Sequence, residues 1–312
     1  MLPTLLDILK ANGSDALVGL VDETIQAVPE IKLVAARTIR GLAYKTLVRT
    51  ALGSTTGSFR NANSGTAPIK HTYENRQVET FILSPRFEAD KAVADRSEDG
   101  PQVYIATENS GIMQGEMQGL GKQFYYGAGN NALGHPGLIN AYDAINMMVD
   151  AGGTTAATGS SVWFVKFGPQ GVQWVWGANG EFAMSPVRVE SLIDPADATK
   201  KFPGYVSDMS AYPGLQVGSL QAVCRIKKLT ADAGKGLTDA MISEALSKFP
   251  TGTSPDAVFM NRRSLLQLQK SRTPTTQTGS PAPFPTGVVG INGQTIQIAV
   301  TDAISSTESL TL

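Results

Sequence analysis

The chain has 312 residues, of which 42% are apolar and only 17% charged, with a formal net charge of −1. That length supplies a real core for one large domain or two closely joined ones, and the charge fraction lies below the roughly 25% usual in soluble domains. The balance excludes a disordered chain and gives no overall pull toward nucleic acid or membrane; it fits a folded protein that hides part of its surface against something else.

Cys224 is the single cysteine, so no internal disulfide forms, and its place in the apolar run 220–226 reads as a small buried hydrophobe. No apolar run approaches the roughly 18 residues of a membrane span, and the start Met1-Leu2-Pro3 lacks the basic segment of a secretion signal. A soluble protein made inside the cell is the expectation.

In chain order, residues 3–28 predict one or two short amphipathic helices, with Leu5, Leu6, Leu9 and then Leu17, Leu20, Val21 on one side, broken at Asn12-Gly13 and ended by Pro29. Residues 30–85 differ in character. Two β-like runs, 44–50 and 77–83, flank a polar, glycine-punctuated stretch at 53–70, which predicts an arm-like hairpin too poor in apolar residues to pack alone. Between Lys32 and Arg76 stand eight basic residues (Lys32, Arg37, Arg40, Lys45, Arg49, Arg60, Lys70, Arg76) and one acidic residue, Glu74. The local charge is thus +7, leaving −8 for the rest of the chain. A basic arm on an acidic body is steered onto a neighbouring copy; a solvated loop and a phosphate-binding arm have the same composition, and charge alone does not separate the three.

Glu98-Asp99-Gly100-Pro101 predicts an acidic helix cap with proline in the first turn. A long helix follows over 102–126, with Ala106, Met113, Met117, Leu120 and Phe124 as its apolar stripe. Gly111, Gly115 and Gly119 recur along another face, where three helix-weakening residues imply close approach of a neighbouring element. After Gly127 the chain turns β-rich. Two alternating strands are expected around Gly168-Pro169 within 161–176, one strand over 215–229, a helix over 237–249, a buried strand at 257–260, a helix over 263–270, a loop over 273–285 and a closing strand at 294–300. The class is α+β in one interlocked body.

Catalytic constellations fare poorly. His71 and His135 are the only histidines, each in a polar stretch, and no serine sits in a G-x-S-x-G turn. Gly127-Ala128-Gly129 lacks its third glycine, replaced by Ala132, and Gly234-Lys235-Gly236 lacks the rest of a phosphate loop. Asp95–Gly100 begins like a calcium loop but has Ala106 where the bidentate Glu belongs. Asp90, Glu108 and Glu116 are unpaired carboxylates with solvated faces as their default reading. Trp163, Phe164, Trp174 and Trp176 form either a sugar-stacking platform or, more commonly for such residues, sheet core or subunit interface. No cofactor, metal or catalytic residue is expected.

Three segments together resemble the tailed-phage major capsid proteins of the HK97-like fold. They are Phe124 to Ile139, with Gly127, Gly129 and Pro136-Gly137-Leu138-Ile139; Pro255 to Asn261 leading into Ser264-Leu265-Leu266-Gln267-Leu268; and, more loosely, Val289-Gly290-Ile291 to Asp302. The resemblance implies an N-terminal arm (1–40), an extended hairpin or E-loop reaching over the adjacent subunit (41–85), a peripheral domain around a spine helix (86–145 with 286–312), and an axial domain with inserted strands (146–285). The Trp-rich strands precede the axial helices, an order more like the capsid proteins of short-tailed epsilon15-like phages.

The implied role is a self-assembling shell of pentamers and hexamers around double-stranded DNA, with portal and scaffold or decoration proteins as further partners and no membrane. It would be assembled in the bacterial cytoplasm and reside in the virion. Lys45, Arg49, Arg60, Lys70, Arg76, Gly111, Gly115 and Gly119 are the expected subunit contacts. An encapsulin-like compartment and a carbohydrate-binding or carbohydrate-active β-rich protein are the alternatives.

Overall fold

A computed structural model describes residues 3, 4, 7, 12, 22–140, 147–272, 284–290 and 293–311. The leucines of the first expected helices and most of the 273–285 loop lie outside the described residues. Residues 24–28 are not helical; a one-turn helix, α1 (Glu30–Leu33), begins where Pro29 was expected to end one. Proline is at home there, because a first-turn N–H has no helical partner to lose.

From α1 the chain forms β1 (Ala36–Thr38) and then the hairpin β2 (Ala43–Ala51) and β3 (Thr72–Glu79). Next come β4 (Arg86–Asp90), the short α2 (Lys91–Ala94), which the Asp90 carboxylate caps through the Ala92 N–H, and the 26-residue α3 (Pro101–Tyr126). At 1.5 Å per residue α3 is about 39 Å long. Its N-cap is Gly100, without a side-chain cap, so Glu98 and Asp99 do not serve as the expected acidic cap; Pro101 does open the first turn.

The stripe on α3 also differs from the expected one. Tyr104 and Ile105 are buried in its first half and Leu120, Phe124 and Tyr125 in its second, while Ala106 is exposed. The helix meets two cores in turn. Phe87, Ala89, Ala94, Tyr104 and Ile105 form a small one, and the C-terminal end of α3 enters the main one.

The remaining strands are β5 (Met148–Asp150), β6 (Ser160–Val165), β7 (Val172–Trp176), β8 (Ala183–Met184), β9 (Arg188–Asp194), β10 (Asp197–Ser210), β11 (Pro213–Val217) and β12 (Val223–Leu229). Helix α4 (Asp239–Ser247), β13 (Ala257–Met260), α5 (Arg262–Ser271), β14 (Gly287–Val289) and β15 (Thr295–Val300) complete the chain. Thr238 and Asn261 cap α4 and α5 by accepting the Met241 and Ser264 N–H groups.

A six-stranded sheet, β14-β15-β13-β6-β12-β5, carries the main core. A three-stranded sheet, β1-β7-β11, lies under the hairpin, and a sheet of β4, β10, β8 and β9 packs beside α2 and the first half of α3. The Trp-rich run is therefore not one alternating pair. After the Gly168 turn (φ +107°) β6 and β7 enter different sheets, and every residue of β6 is buried. A central strand covered on both faces has no polar side to display. The expected single strand over 215–229 likewise breaks at Leu220–Ala222 into β11 and β12 of different sheets. The closing strand β15, expected with the long helix, instead lies parallel to β13 in the six-stranded sheet.

Candidate subunit interface

The hairpin is built from Thr, Val, Tyr and Leu in alternation, residue types that favour extended backbone. Its base is fixed. Thr80 N–H donates to Leu42 O (2.8 Å), Phe81 N–H to Pro213 O (2.8 Å) and Leu83 N–H to Ala211 O (2.9 Å). The Tyr44 hydroxyl donates to Gln216 Oε1, and Arg37 stacks over the Tyr44 ring at 4.7 Å. Burial pushes the Tyr44 phenol pKa up.

Beyond that base the packing ends. Tyr44, Thr46 and Val48 are half-buried on the inner face, and every residue from Ala51 to Lys70 is exposed. Phe59 is 95% and Leu47 68% exposed. Placing such side chains in water forgoes roughly 1.5–3 kcal/mol each relative to burial.

The expected contact residues distribute along this arm. The register places Lys45 and Arg49 with Leu47 on the outer face, opposite Gln77, Tyr73 and Asn75. Arg60 and Lys70 lie in the distal segment, where Arg60 donates to Ser64 O (2.9 Å). Arg76 is on the inner face, 3.7 Å from Glu74. Among the described residues Lys45, Arg49, Arg60 and Lys70 make no ion pair.

The glycine series on α3 is not closely packed against the described residues of the chain. Among the described residues, a Cβ built on Gly111, Gly115 or Gly119 meets no atom within 4 Å outside the helix's own backbone. The close approach occurs at Gly121, which lies off that series, where a Cβ would stand 2.3 Å from Val28 Cγ1 and 3.3 Å from Ala303 Cβ. Gly111 instead lines an open groove of about 730 Å³ with Val103, Ala106, Gln114, Asp22 and Glu108. Desolvation, helped by the nearby Asp7, raises the Glu108 pKa, whereas the hydrogen bonds from Thr24 lower that of Asp22.

The end of α3 is held by a buried polar junction that sequence reasoning missed. Tyr125 donates to Glu30 Oε1 (2.6 Å), and Trp174 Nε1–H to the Glu30 carbonyl (3.2 Å). Burial raises the Glu30 carboxyl and the Tyr125 phenol. Glu308 accepts from Tyr126 (2.5 Å), Ser161 (2.7 Å) and Arg225 Nη2 (3.1 Å), and the Arg225 guanidinium covers the Trp163 ring at 5.0 Å. Gly127 (φ +50°) ends the helix, and a Cβ there would lie 2.2 Å from Gly137 N, which explains two glycines ten residues apart.

His135, expected in a polar loop, is 1% exposed against Trp174, and burial lowers its pKa to about 4. Trp163 and Trp174 are fully buried, so they offer no sugar-stacking platform. Cys224 is buried as well, which lifts its thiol to about 12. No helix among the described residues is long and apolar enough to cross a membrane.

Comparison with known proteins places this architecture. The solved structure of bacteriophage epsilon15 aligns over 99% of this chain and 97% of its own, with a TM-score of 0.77 and 22% identity. The capsid of Myoviridae phage XM1 aligns over 70% of this chain and 97% of its own (TM-score 0.49, 11% identity). The holo-SrpI encapsulin complex of Synechococcus elongatus aligns over 72% and 95% (TM-score 0.46, 11% identity). No curated protein matches the sequence. The chain has the HK97-like fold of phage capsids. The model of one family, major capsid protein GP7, matches residues 16–311, and the chain accordingly belongs to that family of structural shell proteins.

Proposed function

We propose that the chain builds the icosahedral head of a tailed phage as pentamers and hexamers, each copy laying its hairpin across a neighbour. The observation that carries this reading is the arm itself: from Ala51 to Lys70 no residue is even half-buried, and among the described residues Lys45, Arg49, Arg60 and Lys70 make no ion pair. An ordered arm of this kind gains its contacts from another molecule. The groove beside α3 supplies a complementary surface, with Asp22 and Glu108 for the cations and the open Gly111, Gly115 and Gly119 face for close approach. In this reading residues 41–85 form the arm, α3 with the β4–β10 sheet forms the peripheral part, and the six-stranded sheet with α4 and α5 forms the axial part.

The role is structural and not catalytic, with double-stranded DNA enclosed by non-specific contact after assembly in the host cytoplasm. Portal and scaffold or decoration proteins are the further partners. The test is size-exclusion chromatography with negative-stain microscopy of the expressed chain and of a variant with Lys45, Arg49, Arg60, Lys70 and Arg76 all changed to Glu. The variant is expected to remain a folded monomer and form no shells. Normal particles from it would reject the arm-contact reading.

A further inference from the structure

The sheet beside α3 ends in an open edge. β9 pairs with β10 on one side and, among the described residues, with no strand on the other. Which of its main-chain groups face outward follows from β10. Met209 N–H donates to Pro85 O toward β4, while Asp208 O accepts from Ser185 N–H on the opposite side. Odd-numbered residues of β10 thus address β4 and even-numbered ones address β9, and the register sets Gly204 against Glu190 and Val206 against Arg188. In an antiparallel ladder the intervening residues point away from the partner strand. Val189, Ser191 and Ile193 therefore aim their N–H and C=O groups out of the sheet.

The sequence of this edge is complementary to itself when run antiparallel. With Ser191 opposite Ser191 of a second copy, Val189 faces Ile193 and Arg188 faces Asp194. Val189 and Ile193 are 54% and 57% exposed, an unusual state for two β-branched side chains on one strand face. Each facing pair of outward residues exchanges two main-chain hydrogen bonds, the apolar pairs cover one another, and the charges at the two ends are of opposite sign.

We propose that β9 is a twofold contact, through which two copies join edge to edge into one continuous sheet. The occupant is a second copy of this chain, because the fit comes from the strand's own order of residues. One strand pair buries too little surface to hold two molecules together in dilute solution. The contact therefore forms where other contacts already gather the copies, so it rests on the shell reading above.

Site-specific disulfides test both pairing and register, and the buried Cys224 gives no background. Opposed residues in such a ladder have Cα atoms about 5.5 Å apart, within disulfide reach, whereas residues four apart along a strand are separated by about 13 Å. In oxidised particles, Ser191→Cys is expected to give a covalent dimer on its own. Val189→Cys and Ile193→Cys are expected to give none singly and to give one when combined in the same chain. Particles of normal size in which Ser191→Cys stays monomeric overturn the β9 contact and leave the shell reading intact. A native chain that forms no particles overturns both. A 191–191 bridge also excludes a neighbour's hairpin strand as the occupant of this edge.

Discussion

The Arg225–Glu308 pair yields the most demanding stability prediction. Both side chains are almost wholly buried, at 1% and 3% exposure, so neither charge is compensated by water if the other is removed. Glu308→Ala leaves Arg225 uncompensated beneath Trp163 and removes the acceptor of Ser161 and Tyr126. A buried pair broken on one side costs about 3–5 kcal/mol. A hydroxyl stripped of its acceptor adds about 1 kcal/mol, so the total is about 5 kcal/mol. Tyr126 keeps one partner, since its oxygen accepts the Ser305 N–H, which limits the sum. Arg225→Met alone strands the carboxylate and costs about 3 kcal/mol.

The double variant Arg225→Met/Glu308→Leu carries neither charge into the core, and it is expected to lose less than either single change. The coupling across the cycle is then several kcal/mol. The assay is denaturant unfolding of the unassembled chain at pH 7, followed by fluorescence of the buried tryptophans. Costs that add within about 0.5 kcal/mol would show that the two charges do not depend on one another and would refute the reasoning.

Two further predictions concern stability. Gly121→Ala drives a methyl into Val28 and should destabilise the monomer by about 1–3 kcal/mol, whereas Gly115→Ala meets no side chain among the described residues and should stabilise it by about 0.5–1 kcal/mol. Thermal melts of the two variants moving the same way would contradict this assignment of the packed face. His135 gives a pH dependence. Its folded pKa of about 4 lies below the unfolded value near 6.5, so its contribution is complete above about pH 6.5 and is lost as pH falls toward 4. His135→Leu should remove about 2–3 kcal/mol from the difference in unfolding free energy between pH 7 and pH 4.5. An unchanged difference would mean that the ring already titrates in water.

The hairpin and the long helix were legible because their signals are local: alternation around a polar middle, and helical spacing between Pro101 and Gly127. Their surroundings were not. Which face of α3 is buried depends on two cores contacted in succession, and a single stripe of Met113 and Met117 cannot report that. Proline followed by glycine usually marks a turn, and no strand was expected at 203–204, yet β10 runs through it. Pro203 lies one residue beyond the last residue paired with β4, and Gly204 fits against Leu192 and Ala89. The β9–β10 hairpin, and with it the open edge, was therefore missed. The buried junction joins Glu30, Tyr125, Ser161, Arg225 and Glu308, residues brought together only by the fold.

The way the arm is rooted decides where mechanical load goes. One leg leaves from β1, bonded to β7 through Ile39 N–H and Trp176 O, and the other returns past Pro213 of β11 through Phe81 and past Ala211 through Leu83. Tension on the tip thus passes into β7 and β11, and from Trp174 into Phe124 at the end of α3. Pressure pushing the wall outward would then be borne by the main core of each molecule, which holds both Trp174 and Phe124.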